Sequence, residues 1–173
     1  LNVGDEYLGR KKRFGPWRDT HLRLEGPAVA GFQIPFVEDW NYVTKALPAF
    51  RLRAAPVADG DAVVFPIACG PAEPWNVGAA AILSTIHDVQ HRLWLASPYF
   101  VPSSSLLAAI CHAALRGVDV RLILPRNPDH MLPWLSSFTY YPKLREAGVK
   151  VWRYEPGFMH QKVLLADEAF AIV

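Results

Sequence analysis

The sequence is short of several features that would assign a protein class at once. Only two of its 173 residues are cysteine, Cys69 and Cys111, and their spacing fits neither a metal site nor a disulfide framework. Both are therefore expected to be buried or half-buried free thiols. No apolar run reaches the roughly 18–20 residues of a membrane span. The net charge of +2 is too small to indicate a nucleic-acid partner.

What the sequence does contain is the composition of a folded domain. Hydrophobic residues make up 51% and charged residues 20%, which is typical of globular proteins. The length suffices to bury a sizeable core, so we expect one domain over residues 1–173. The chain starts without Met, shows no secretory signal and stops inside the apolar run that ends at Ile172-Val173. These ends predict a soluble fragment of a longer protein.

Hydrophobic periodicity predicts alternating strands and helices over most of the chain. Expected helices are one with apolar residues from Val29 to Val43, then Val77–His91, Ser103–Arg116 and Pro133–Ala147. Expected strands are His21–Glu25, Ala62–Ala68, Arg92–Ala96, Val118–Leu124, Val149–Tyr154, His160–Ala166 and Phe170–Val173. This order favours an α/β fold, an α-β-α sandwich whose central sheet is mixed and largely parallel.

Residues 160–167 read H-x-K-x4-D and carry the clearest chemical signal. Side chains alternate faces along a strand, so His160 and Lys162 are expected side by side. Lys162 can neutralise phosphoryl oxygens. His160 can attack phosphorus or protonate a leaving alkoxide near neutral pH. The pair therefore predicts a phosphodiester site.

Asp167 lies five residues beyond Lys162, where the sequence predicts a turn. Its carboxylate can fix this turn or tune an imidazole, and direct contact with phosphate is not expected. No other histidine is followed by lysine two residues later. The most similar arrangement is His21 with Arg23, which reads H-x-R. Displacement through a covalent histidine needs one such group on each side of phosphorus, so the chain offers half of a site.

H-x-K-x4-D is the signature of the phospholipase D superfamily, and further segments resemble its bacterial cardiolipin synthases. They are collinear and span nearly the whole chain: residues 1–9 (LNVGDEYLG), 15–21 (GPWRDTH), 25–29 (EGPAV), 97–102 (SPYFVP), 116–125 (RGVDVRLILP) and 147–152 (AGVKVW). Residues 1–9 resemble the stretch that follows the family's first motif, whose asparagine corresponds to Asn2. The chain therefore resembles the part of these enzymes that carries the second motif.

This resemblance implies a phospholipase D-like fold and phosphatidyl transfer. One phosphatidylglycerol would form a phosphatidyl-histidine and release glycerol, and a second would accept the phosphatidyl group to give cardiolipin. The family's assignment makes the first-motif histidine the nucleophile, His160 the acid and base, and Lys162 the phosphate ligand; Asp167 completes the predicted catalytic set. No cofactor or metal is implied. The full-length protein is expected at the bacterial cell membrane, and the isolated fragment, without its first-motif half, is expected to be inactive.

Two other functions stay open at this point. The chain could be a one-motif phosphodiesterase or nuclease that is active as a homodimer, although no basic stripe favours nucleic acid. It could also be a non-catalytic lipid-binding or interaction domain that keeps the fold.

Three further features have an ordinary explanation that we favour. His87 and His91 imitate a zinc helix at i and i+4, but no third ligand is evident, so no metal is predicted. The basic residues 10–13 are expected in a solvated loop, with contact to anionic headgroups as the alternative. Core packing, rather than an apolar wall beside the phosphate, is expected for Tyr99, Phe100, Phe158 and Met159.

Overall fold

The computed structural model describes residues 4–5, 7–8, 14–49, 60–70 and 75–173. These fall into two compact units, Leu1–His21 with Ala80–Val173, and Leu22–Ala79. Asn2 and the basic residues 10–13 lie outside the described residues. The single domain expected over residues 1–173 stays a prediction.

Helices and strands alternate through the second half of the chain. The helices are α1 (Val29–Thr44), α2 (Val77–Asp88), α3 (Ser104–Leu115), α4 (Met131–Phe138) and α5 (Tyr141–Glu146). The strands are β1 (Trp17–Arg18), β2 (Arg92–Ala96), β3 (Asp119–Pro125), β4 (Lys150–Tyr154), β5 (Phe158–Met159), β6 (Val163–Ala166) and β7 (Phe170–Ile172). Within the described residues, the unit formed by Leu22–Ala79 contains α1 and the first residues of α2.

A five-stranded sheet in the order β4-β3-β2-β6-β7 organises the first unit. Strands β2, β3 and β4 are parallel neighbours, because helical connections separate them in sequence. Strand β6 returns antiparallel to β2, with Ala96 opposite Val163, and β7 is antiparallel to β6. The predicted α/β class with a mixed, largely parallel sheet is therefore confirmed.

One face of this sheet packs against the helices and forms the core. Leu93 of β2 and Leu144 of α5 are fully buried, and Leu122 of β3 and Ile110 of α3 are 1% exposed. Burying each such side chain contributes about 1.5–3 kcal/mol. The packed sheet gives a rigid support for the loops at the carboxyl ends of β2 and β3, the edge at which β6 begins.

The boundaries of α3 follow the predicted signals. The Ser103 hydroxyl accepts a hydrogen bond from the Leu106 amide at 3.2 Å and so caps the helix. Gly117 follows the helix with φ of 95°, a conformation that a side chain disfavours. The expected helix Ser103–Arg116 differs from the observed one only at its end residues.

Two predicted strands are wrong. His21–Glu25 and Ala62–Ala68 have irregular backbone with no strand partner. Their apolar residues are largely exposed, for example Leu22 at 60% and Val63 at 99%. An alternating or apolar segment forms a strand only where a neighbouring strand accepts the backbone hydrogen bonds, and a short pattern does not reveal that partner.

The predicted helix Pro133–Ala147 is two helices, α4 and α5. Ser137 and Thr139 donate side-chain hydrogen bonds to the carbonyls of Trp134 and Ser136, at 2.6 and 2.7 Å, which competes with continued helix geometry. Pro142 lies in the first turn of α5, where its missing N–H is tolerated, whereas an uninterrupted helix would need that donor.

The unit formed by Leu22–Ala79 contains α1, which continues through Pro35. Gly31 of α1 lies against the Pro66 ring, where a Cβ would come within 2.6 Å of the Pro66 Cγ.

Cys69 is exposed and Cys111 is buried. The expectation for Cys69 is therefore wrong, because no helix or strand forms over residues 60–70 to cover it.

Asp167 ties the end of β6 to the turn between α2 and β2. Its carboxylate accepts backbone N–H groups of Gln90, His91 and Arg92 at 3.1, 2.8 and 3.0 Å. The Arg92, Gln90 and His91 hydrogen bonds, in that order, lower the pKa of Asp167. Of the two roles left open for Asp167, the geometry supports fixing a turn.

Replacing Asp167 with Asn should lower the thermal midpoint by a few degrees at pH 7, because the three N–H groups lose an anionic acceptor. The folded-state pKa lies below the unfolded value, so this stabilisation is complete above about pH 4 and is lost as the pH falls through the folded value. The difference from wild type should therefore shrink in acid. Thermal midpoints from circular dichroism across pH test this.

Glu168→Gln is the control, because it removes the adjacent, exposed charge and should change the midpoint little. Equal midpoints for Asp167→Asn and wild type would contradict the role of Asp167 in fixing the turn.

Candidate active site

His160 and Lys162 lie where the chain passes from one sheet to the other. β5 pairs with β1 in a two-stranded ribbon, whereas β6 joins the central sheet beside β2. Residues 160–162 connect them and are not part of a strand, so the predicted strand His160–Ala166 begins only at Val163. The expected neighbourhood nevertheless forms: Lys162 Nζ lies 3.2 Å from His160 Nε2 and 3.1 Å from the His160 carbonyl oxygen.

A carboxylate that the sequence did not single out completes the surroundings of His160. Asp19 Oδ2 lies 3.2 Å from His160 Nδ1, and the Tyr7 hydroxyl lies 3.1 Å from the same nitrogen. The side chains of His160 and Asp19 are 18% and 17% exposed. An anionic carboxylate needs a donor, so this arrangement favours the tautomer with its proton on Nδ1. Nε2 is then the nitrogen that faces Lys162.

Asp19 is held in its ionised form although it is largely buried. Burial alone would raise the pKa of its carboxyl, but hydrogen bonds from the Thr20 amide and from His160, with the positive charges of His160 and Lys162, outweigh it and lower the pKa. The Thr20 amide donates to Asp19 Oδ1 at 2.9 Å, which leaves Oδ2 for the imidazole. Asp19 therefore presents a fixed negative charge to Nδ1.

Aromatic rings fix the imidazole from several sides. The Phe158 ring stacks on His160 at 6.0 Å with an interplanar angle of 30°, and the Trp17 ring lies at 5.4 Å. Phe158 is fully buried, and Met159 and Phe100 are also in the core. These three side chains pack as expected for core residues. Phe158 also positions the His160 imidazole, because ring packing restricts its rotamers.

The β1–β5 ribbon, which positions Asp19 beside His160, depends on a close approach between the backbones of Pro16 and Gly157. The Phe158 amide donates to the Pro16 carbonyl at 3.0 Å, and the His160 amide donates to the Arg18 carbonyl at 2.9 Å. A Cβ at Gly157 would lie 2.0 Å from the Pro16 carbonyl oxygen. Only glycine fits this position, so the sequence Pro156-Gly157 is a structural part of the site.

The structure brings together two of the three predicted catalytic residues. His160 and Lys162 precede β6, whereas Asp167 follows its last residue and binds the α2–β2 turn. Asp19 and Tyr7 were missed because nothing in a single sequence relates positions 7 and 19 to position 160. The available signal was weak: both residues lie in segments that resemble the family, 1–9 and 15–21.

The candidate metal pair is explained by local hydrogen bonding. His87 Nδ1 lies 2.7 Å from the Leu83 carbonyl oxygen, one helical turn earlier. Across the described part of the chain, no group of three or more His, Cys, Asp or Glu side chains is arranged to hold a metal ion. Among the helices in that same part, none combines the length and apolar character needed to cross a bilayer.

Residues 82–173 match the protein family described as cardiolipin synthase, PLD-like domain, and the chain belongs to this family. It is 45% identical over 172 residues to cardiolipin synthase A of Pseudomonas fluorescens (strain SBW25), covering 99% of this chain and 36% of that protein. It is 46% identical to cardiolipin synthase A of Pseudomonas aeruginosa (strain LESB58), covering 99% and 35%. The chain thus spans about a third of the length of the curated relatives it matches.

Among solved structures, the chain is similar to a phospholipase D family member, Nuc from Salmonella typhimurium. The identity is 20%, the TM-score is 0.42, and the match covers 51% of this chain and 57% of Nuc.

Replacing Gly157 with Ala should separate the ribbon strands and withdraw Asp19 from His160. The added Cβ meets a backbone oxygen that cannot rotate away, so we expect a loss of about 1–3 kcal/mol in the free energy of unfolding. Urea unfolding gives the stability, and the imidazole resonances of His160 report its surroundings. Gly70→Ala is the matched control, since no atom lies within 4 Å of its added Cβ. Unchanged His160 resonances in Gly157→Ala would show that the close approach is unnecessary.

Proposed function

We propose that this chain supplies the proton-transferring half of a phosphatidyl-transfer site. The main support for the proposal is that the two ring nitrogens of His160 face different partners. Nδ1 faces the buried Asp19 carboxylate at 3.2 Å, and Nε2 faces Lys162 Nζ at 3.2 Å. One nitrogen is thus anchored, and the other lies beside a cation that can attract a phosphate.

In the first half-reaction a histidine from a second H-x-K motif attacks phosphorus of phosphatidylglycerol. A P–N bond forms and the P–O bond to the glycerol headgroup breaks. His160 enters this step as the imidazolium, with Nδ1–H on Asp19, and gives its Nε2 proton to the departing oxygen. Lys162, which is exposed, can turn from Nε2 to the phosphoryl oxygens and neutralise their charge. The products are glycerol and a phosphatidyl-histidine.

In the second half-reaction the headgroup hydroxyl of another phosphatidylglycerol attacks phosphorus. His160, now neutral, takes the hydroxyl proton on Nε2 while the new P–O bond forms and the P–N bond breaks. The product is cardiolipin, and both histidines return to their starting states. Asp19 stabilises the imidazolium of each cycle because its charge lies against Nδ1 in a largely buried site.

The names and lengths of the relatives support this assignment. The similar proteins are cardiolipin synthases, and the chain covers about a third of each. One H-x-K motif occurs in the 173 residues, whereas the covalent mechanism uses two histidines. We therefore place the partner motif in the remainder of a full-length protein at the bacterial cell membrane. The isolated chain would turn over negligibly as a monomer.

Replacing His160 with Ala in the full-length protein should reduce cardiolipin formation by roughly 10³-fold, because general acid–base catalysis contributes on that order. Lys162→Met should reduce it by roughly 10²-fold or more through loss of phosphate stabilisation. The assay follows radiolabelled phosphatidylglycerol in mixed micelles.

His87→Ala is the control for this pair, because it removes an exposed imidazole from the surface of α2. Cardiolipin formation at the wild-type rate by His160→Ala would refute the catalytic role and favour a non-catalytic lipid-binding domain. Full phosphodiesterase activity of the 173-residue chain as a homodimer would instead show that two copies complete the site.

Replacing Asp19 with Asn should lower kcat by roughly 10²-fold and leave KM nearly unchanged. The amide keeps the size of the side chain but removes the charge that stabilises imidazolium, so its effect falls on proton transfer. Asp119→Asn gives the same chemical change at a carboxylate paired with Arg121 and Lys150, and should retain wild-type kcat. A rise in KM without a fall in kcat would assign Asp19 to substrate binding.

A further inference from the structure

A second polar cluster lies at the same edge of the sheet as His160. Tyr99 follows the carboxyl end of β2, and Asp129 follows the carboxyl end of the neighbouring parallel strand β3. β6 begins at this edge, with Val163 opposite Ala96. Tyr99 lies three residues after Ala96, and His160 lies three residues before Val163, so both lie beyond this edge. Ligands of open α/β sheets bind outside the carboxyl ends of the strands.

Tyr99 is held firmly in this position. The Ser97 hydroxyl donates to the Tyr99 carbonyl at 2.6 Å and accepts from the Tyr99 amide at 3.3 Å. The Ser97 amide in turn donates to the Ile123 carbonyl at 3.3 Å, which extends the pairing of β2 with β3. The phenol therefore projects from a fixed backbone.

The Tyr99 hydroxyl donates a short hydrogen bond to Asp129 Oδ2. The other oxygen, Oδ1, accepts the His130 amide at 2.8 Å, and the Asp129 side chain is 15% exposed. Burial, the hydrogen bond to Asp129 and the charge of Asp129 raise the pKa of Tyr99, and Tyr7 adds to the effect. The Tyr7 hydroxyl lies 3.1 Å from His160 Nδ1, and Tyr99 and His160 both lie beyond the sheet edge where Ala96 pairs with Val163.

We propose that Tyr99, oriented by Asp129, binds the non-reacting secondary hydroxyl of the glycerol headgroup. This subsite rests on the proposed phosphatidyl transfer and adds the residue that selects a polyol. Because the Tyr99 hydroxyl donates its proton to Asp129, its oxygen can act toward a ligand only as a hydrogen-bond acceptor, through its lone pairs. A carboxylate behind a phenol makes that oxygen a better acceptor, since linked hydrogen bonds polarise one another.

A secondary hydroxyl beside the reacting one is the chemical feature that this acceptor can recognise. Glycerol carries it, whereas propane-1,3-diol has the same three carbons and both primary hydroxyls without it. The headgroup that leaves in the first half-reaction and the one that enters in the second are both glycerol. One subsite therefore serves both steps.

The test compares isotope-labelled glycerol with propane-1,3-diol as acceptors for the full-length protein, with unlabelled phosphatidylglycerol as donor. Mass spectrometry follows the labelled phosphatidylglycerol and the phosphatidylpropanediol that form. Wild type should use glycerol with the higher kcat/KM. Tyr99→Phe keeps the ring and removes the acceptor oxygen, so the glycerol-to-propanediol ratio of kcat/KM should fall about tenfold. Asp129→Asn keeps an oxygen for the Tyr99 hydroxyl but removes the charge, and should lower the ratio by less.

Two control variants should keep the wild-type ratio. Tyr42→Phe makes the same change at a tyrosine that is 77% exposed on α1, and Asp119→Asn changes a carboxylate at the opposite end of β3. A ratio in Tyr99→Phe equal to that of wild type would overturn the subsite while leaving phosphatidyl transfer intact. Equal losses with both acceptors, in a variant with a wild-type melting temperature, would also overturn it. Wild type that forms neither cardiolipin nor a transfer product with either alcohol would refute the proposed function itself, before any variant is compared.

Discussion

Two main-chain hydrogen bonds determine the candidate active site. The amides of Phe158 and His160 bond to the carbonyls of Pro16 and Arg18, and this register puts the next residue, Asp19, against the His160 ring. The carboxylate reaches Nδ1 because the backbones meet at Gly157 without an intervening side chain. A segment about 140 residues earlier in the chain thereby sets the proton position of the motif histidine.

The two ring nitrogens of His160 lie in different electrostatic environments. The nitrogen toward Asp19 lies in a largely buried pocket of aromatic rings, where a charge interaction is strong. The other nitrogen lies beside the exposed Lys162. A proton can therefore be exchanged at Nε2 with an incoming ligand while the Nδ1 contact persists. That asymmetry is what a reversible acid and base requires.

Local patterns predicted the central sheet well and the site only in part. Strands β2 (RLWLA) and β3 (DVRLILP) are rich in apolar residues, and α3 has a Ser cap and a Gly stop, so their signals are local. His21–Glu25 alternates and residues 62–68 form an apolar run, but both lack a partner strand, which a local pattern cannot show. The proximity of His160 and Lys162 was expected from strand parity, and it arises from an extended connection between two sheets instead. Asp19 depends on pairing between distant segments, so its contact with His160 has no signature in residue spacing.

The contacts of Asp167 bear on how the H-x-K-x4-D signature is interpreted. His160 and Lys162 precede β6 and meet at the open edge, whereas the carboxylate of Asp167 binds three amides at the far end of that strand. The signature thus has two spatially separate parts, an imidazole–ammonium pair at the open edge and a carboxylate that anchors the far end of β6. A homologue that loses the aspartate but stabilises the α2–β2 turn by other means could keep its chemistry, and a search that demands all three letters would overlook it.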